Sequence, residues 1–145
     1  MSLTDLASEG RFKAHKTSKS EINQLLAVFD RDMADAQIVN LSTDRRFIMA
    51  YSATLTIGII ALAARGYRAA SEGHHYWTIQ SLAYTLGVDP KIVEKLNKFR
   101  QKRNIADYER TGMASEREMG EMLDLAKRLR LDLADWLKNN YSELI

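Results

Sequence analysis

Residues 47–64 read FIMAYSATLTIGIIALAA, a run with no charged side chain, and the fold turns on what such a run is for. Its length reaches the roughly 18 apolar residues that a membrane-spanning helix needs. Yet Tyr51, Ser52, Thr54, Thr56 and Gly58 are scattered through it, and the flanking sequence supplies one-sided helices that need a surface to pack on. A helix apolar on all sides is what the centre of a helical bundle requires. The run therefore predicts the core helix of a soluble all-α protein, expected in the cytoplasm and not in a membrane.

Working outward, Ser42 or Thr43 caps this helix and Gly66 ends it, since glycine suits the left-handed position after a helix. Upstream, Ile22, Leu25, Leu26, Phe29, Met33 and Ala36 keep a helical period from a capping box at Ser18 and Glu21 to about Asn40. Residues 1–17 carry Leu3, Leu6 and Phe12 without a sustained period and read as a loosely ordered or short helical lead. Downstream, 67–73 reads as a loop. A shorter helix then begins at His74, with His75, Ile79, Leu82 and Leu86 on one face, and closes at Gly87. Asp89 and Pro90, a cap followed by a residue tolerated at the first helical position, open the next helix, which runs to about Arg110. After Thr111-Gly112, a capping box at Ser115 and Glu118 starts the last helix, with Met119, Met122, Ala126, Leu129, Leu133 and Trp136 along one seam. Short connections predict antiparallel neighbours. The expected fold is an up-and-down bundle of four to five helices, one domain over 1–145.

Composition narrows the chemistry. There is no cysteine, which excludes disulfides, thiolate catalysis and cysteine-based zinc sites. A net charge of +2 does not by itself demand a polyanionic partner. Positive residues do cluster locally at Lys95, Lys98, Arg100, Lys102, Arg103 and Arg110, a strip able to meet phosphates or simply to keep a helix face solvated.

That strip lies on the 90–110 helix, where Ile92, Leu96 and Phe99 mark a buried arc that Arg103 continues. A guanidinium in an apolar stripe is costly unless paired. Asp107 lies one turn on, and Arg100, Asn104 and Tyr108 form a column at the edge of the arc. Two readings fit: a structural Arg–Asp pair with a polar edge, or a ligand site.

The string Arg103-Asn104-Ile105-Ala106-Asp107-Tyr108 resembles the Arg-x-x-Ala-Asp-Tyr version of the motif helix of the HEPN superfamily. Many members of that superfamily carry instead an Arg, a polar residue and a His after four to six intervening residues, and are metal-independent ribonucleases that work as dimers. Asp44-Arg45-Arg46-Phe47, Ala50-Tyr51, Arg65-Gly66-Tyr67-Arg68 and Gly73-His74-His75 fit the same picture, and the similarity covers roughly Ser20 to Asn140. The resemblance implies a HEPN-like bundle, similar to the C-terminal domain of nucleotidyltransferases. It also implies a homodimer through the 90–110 helix that brings two copies of Arg103, Asn104, Asp107 and Tyr108 into one cleft.

Two functions follow from the resemblance. One is a module that binds RNA or a nucleotide, or partners a nucleotidyltransferase in a toxin–antitoxin or defence system, with Arg100, Asn104, Asp107, His74 and His75 as ligand-binding residues. The other is a metal-independent ribonuclease in which Arg103 stabilises charge on the phosphate and Tyr108, or a His, acts as base. The sequence places Tyr108 where the ribonuclease motif has its His, and a phenol with a reference pKa near 10 is a poor base at neutral pH beside an imidazole near 6.5. Binding is therefore the preferred reading, and a helical interaction protein without a ligand is the third.

No metal or cofactor is expected. Glu72-x-x-His75 has the spacing used in di-iron bundles, but such sites need a second pair and two further carboxylates. Trp77 and Tyr84 fall off the face of Ile79 and Leu82, where they mark either an interface or partial burial within the monomer.

Overall fold

The computed structural model describes residues 2–108 and 110–145, with the side chains of Asp107 and Tyr108 left out of the description. Among the described residues the chain forms α1 (Leu3–Ser8), β1 (Phe12–Ala14), α2 (Lys19–Ala36), α3 (Thr43–Ala64), β2 (Tyr67–Ala69), α4 (His74–Thr85), α5 (Pro90–Tyr108), α6 (Glu116–Asn140) and a closing 3-10 turn (Ser142–Leu144). The all-α reading holds, with one short two-stranded antiparallel sheet added to it.

Local chemistry sets most of the boundaries. Ser42 accepts from the Arg45 amide and starts α3, and Ser115 and Glu118 close the expected reciprocal box on α6. Asp89 Oδ1 accepts from the Lys91 amide at 2.8 Å, just ahead of and around Pro90. The box expected at Ser18 is half formed. Ser18 accepts from the Glu21 amide, but the Glu21 carboxylate turns to His15 at 2.8 Å and Thr17 at 2.7 Å instead of back to the cap.

Helix α3 is the centre, in contact with α2, α4, α5 and α6. Phe47, Ala50, Tyr51, Ala53, Ile57, Ile60 and Ala61 are all buried within it. It is long and apolar enough to cross a membrane, yet 72% of its most apolar window is buried inside the fold, as in the core helix of a soluble protein. Around it pack Ile22, Phe29 and Met33 of α2, Ile79 and Leu82 of α4, Leu96 and Phe99 of α5, and the α6 seam through Leu133 and Leu137. Trp136, at the end of that seam, is half-buried against Tyr141.

Two expectations need correcting. Residues 1–17 hold a short helix, as one of the two readings had it, but are not loose: α1 is capped by a Ser2–Asp5 box, and β1 pairs antiparallel with β2 in the register Phe12↔Ala69, Lys13↔Arg68, Ala14↔Tyr67. Leu3, Leu6, Phe12 and Leu62 make a second small core beside this strand pair, with Tyr67 and Trp77 packed on it. A three-residue strand has too few alternations to register as a pattern, which is why the lead and the 67–73 loop were unreadable as partners.

The second correction follows from the first. Because β2 carries the chain back along the bundle, α4 runs in the same direction as α3. Tyr51 meets His75, an added Cβ on Gly58 would meet Thr78, and Arg65 reaches the Tyr84 carbonyl, so numbers rise together along both helices. The bundle is not strictly up-and-down. Helix α5 then runs back against α4, Asn97 meeting Gln80 and Arg100 meeting Tyr76.

At the other end of the core, the buried Asp44 carboxylate accepts from the Gly112 amide at 2.6 Å and the Ala114 amide at 3.0 Å. This clasp ties the α5–α6 connection to the first turn of α3.

Candidate functional site

Helix α4 begins at Gly73, whose left-handed backbone (φ 64°) has no side chain with which to cap the helix. The first three amides of a helix have no intrahelical acceptor, so this end presents donors and the positive end of a helix dipole. Because α4 and α5 are antiparallel, it lies against the second half of α5. Gly73, His74, His75 and Tyr76 from one side and Arg100, Arg103 and Asn104 from the other line an open cleft of about 400 Å³.

Five of the residues singled out in the sequence therefore meet: His74, His75, Arg100, Arg103 and Asn104. The side chains of Asp107 and Tyr108, named with them, lie outside the described residues. Arg103 is not the buried continuation of the apolar arc. Among the described residues of α5 the buried ones are Val93, Leu96 and Phe99, with Ile92 only half-buried, and Arg103 is half-buried at the cleft. Its Nε is enclosed while Nη1 reaches the Asn104 side-chain oxygen at 3.4 Å, an apolar stem inside and a charged head towards water. The Arg100 guanidinium lies 5.5 Å from the Tyr76 ring centre.

The two histidines divide as their positions one residue apart on a helix require. His74 is exposed and its Nδ1 donates to the Ser71 carbonyl at 3.3 Å. His75 is half-buried, 3.4 Å through Nδ1 from the Tyr51 hydroxyl. Burial, then the nearby charges of His74, Arg103 and Arg100, push the His75 pKa down to about 4. Burial pushes Tyr51 up to about 12, against a smaller opposing pull from Arg100 and Arg103. At neutral pH both are uncharged. A buried hydroxyl needs a partner, and Tyr51 donating to Nδ1 puts the imidazole hydrogen on Nε2, making His75 a neutral donor.

The basic strip seen in the sequence splits in two. Lys95 pairs with Glu121 at 2.5 Å, Lys98 with Glu94 at 3.6 Å, and Lys102 with Glu118, so these lysines brace α5 against α6 or against its own next turn. Arg100 and Arg103 face α4 at the cleft and lie outside this ladder. Among the described residues no three His, Asp or Glu side chains converge as a metal site would need, and Glu72 stands exposed ahead of α4.

Tyr51 and Tyr76 were not singled out as site residues. Tyr51 is hidden in the apolar run of α3, and Tyr76 gains its place only because α4 starts beside α5, which the β2 reversal decides. No family model, curated protein or solved structure matches the chain.

Proposed function

We propose that the chain is a HEPN-like module that binds RNA or a nucleotide through a phosphate seated between the start of α4 and the Arg100–Arg103 turn of α5. One observation carries the reading: two guanidinium side chains and an uncapped helix N-terminus converge on a single open cleft. Each of these features favours an anion. His75 adds a neutral hydrogen-bond donor, and Asn104 orients the group. The homodimer through the 90–110 helix and a nucleotidyltransferase partner belong to the same proposal, on the strength of the sequence resemblance.

The ribonuclease reading has one observation in its favour, an imidazole in the same cleft as the arginines. A base with a pKa of about 4 is far from the near-neutral value that makes proton abstraction efficient, and its Nδ1 lone pair is engaged by Tyr51. Binding without cleavage is therefore preferred.

Labelled single-stranded RNA titrated against the wild type and Arg103→Ala tests both. Binding lost in the variant, with the RNA intact, supports the module. Cleavage by the wild type that disappears in the variant establishes the enzyme, and equal behaviour of the two proteins refutes the phosphate site.

A further inference from the structure

A second cavity of about 440 Å³ runs along the same α4–α5 groove, and Tyr76 lines both it and the phosphate cleft. Its other walls include Gln80 and Tyr84 of α4, at four and eight residues from Tyr76 and so on the same helix face, with Asn97 opposite on α5. Ala83, Pro90 and Val93 supply the rest of the lining together with Glu94, the single charged residue in the wall. A cavity whose one charge is negative is no second phosphate site.

The polar groups that are present come as an amide pair. Asn97 Nδ2 donates to Gln80 Oε1 at 2.8 Å, while Asn97 Oδ1 is buried with no hydrogen-bond partner among the described residues. Turning the amide over exchanges the roles but still leaves one polar end unused. A buried polar atom without a partner costs about 1–3 kcal/mol, so it invites explanation by a ligand. Tyr84 is a large aromatic left 38% exposed at the rim.

From these observations we infer that the Tyr76–Tyr84 groove holds a nucleobase, stacked on an aromatic face beside the Gln80–Asn97 amide pair. The inference rests on the phosphate site proposed above and deepens it to a nucleotide unit. Gln80 lies about 6 Å along α4 from Tyr76, at about 1.5 Å per residue, so a single nucleotide spans from the arginines to the amides. Aromatic rings and side-chain amides beside a positive cleft are the chemistry by which single-stranded RNA and free nucleotides are both held.

The test titrates the full chain with ribose 5-phosphate, UMP, AMP and pentauridylate, using Tyr84→Ala, Tyr84→Phe, Asn97→Ala and Arg100→Ala variants checked by circular dichroism. A base subsite predicts that at least one mononucleotide binds ten-fold or more tighter than ribose 5-phosphate. Tyr84→Ala and Asn97→Ala each lose at least fivefold for that nucleotide and nothing for ribose 5-phosphate, while Tyr84→Phe, which keeps the ring, binds as wild type. Pentauridylate binding more than tenfold tighter than UMP identifies a strand as the natural source; equal affinity identifies the free nucleotide. Mononucleotides and ribose 5-phosphate binding alike overturns the base subsite and leaves the phosphate site standing. Nucleotide binding lost in Tyr84→Ala but untouched in Arg100→Ala does the reverse. No binding by any of the four ligands overturns both.

Discussion

Replacing Asp44 by Ala tests how the α5–α6 connection is held, and with it the end of the helix that carries the cleft arginines. The carboxylate accepts two amides, one from the buried Ala114 and one from the exposed Gly112. A hydrogen bond to a charged group contributes about 1.5–3 kcal/mol; the Ala114 bond takes the upper half of that range, and the Gly112 bond about 1 kcal/mol because water replaces it. The expected loss is about 3.5 kcal/mol, or roughly 7–14 °C in melting temperature for a chain of this size. Asp44→Asn is no rescue, because its Nδ2 faces one of the two donor amides, and it retains at most one bond. Urea unfolding gives the free energy, and hydrogen exchange at Gly112 and Ala114 gives the place. A change in Asp44→Ala below about 0.5 kcal/mol, or unaltered exchange at those two amides, refutes the clasp.

Gly58→Ala sets a helix-propensity gain of about 1 kcal/mol against overpacking that typically costs 1–3 kcal/mol, roughly. The new Cβ lies 2.7 Å from Thr78 Cγ2 and 3.2 Å from the Thr78 carbonyl oxygen, and a β-branched side chain on a helix has little freedom to turn away, so urea melts should show net destabilisation. His75 stays neutral down to a folded pKa of about 4, whereas the unfolded ring protonates near 6.5. The unfolded chain thus binds the extra proton between those values, and stability falls as pH drops from 6.5 to 4; ring-proton NMR should place the midpoint below 5, and His75→Gln should flatten the pH dependence of melting. Phe12→Ala should cost about 3–5 kcal/mol by thermal unfolding, since the ring is buried in one cluster with Leu62 and packs on Tyr67; a negligible change would show that the N-terminal segment is undocked.

What the sequence made legible follows from where its signals are strong. The six seam residues of α6 and the uncharged run of α3 carry long periods, and both helices appear where expected. The caps at Ser42, Asp89 and Ser115 are two- or three-residue signals, and they too are met. Direction was not legible. Nothing in the composition of 67–73 distinguishes a loop from a strand that turns the chain back, because the information lies in its pairing with residues 12–14, some fifty positions away. The cleft was legible as a residue set but not as a geometry. Arg103 continues the i, i+4 series from Leu96 and Phe99, and the helical wheel alone puts it in the core; the α4 N-terminus opens that edge to solvent.

The parallel run of α3 and α4 has an electrostatic consequence. Had α4 packed antiparallel to α3, its C-terminal end, with the negative pole of its dipole, would face Arg100 and Arg103 and help to neutralise them. The β1–β2 pairing instead brings the positive pole to the side of the two guanidiniums. The depressed pKa of His75 registers this field from inside, since Arg103 and Arg100 contribute to it after burial and His74. On the α6 side of the same helix, Lys95 and Lys102 are each given a glutamate of α6. The helix N-terminus and the two arginines gathered at one opening are the groups that the proposed phosphate would meet.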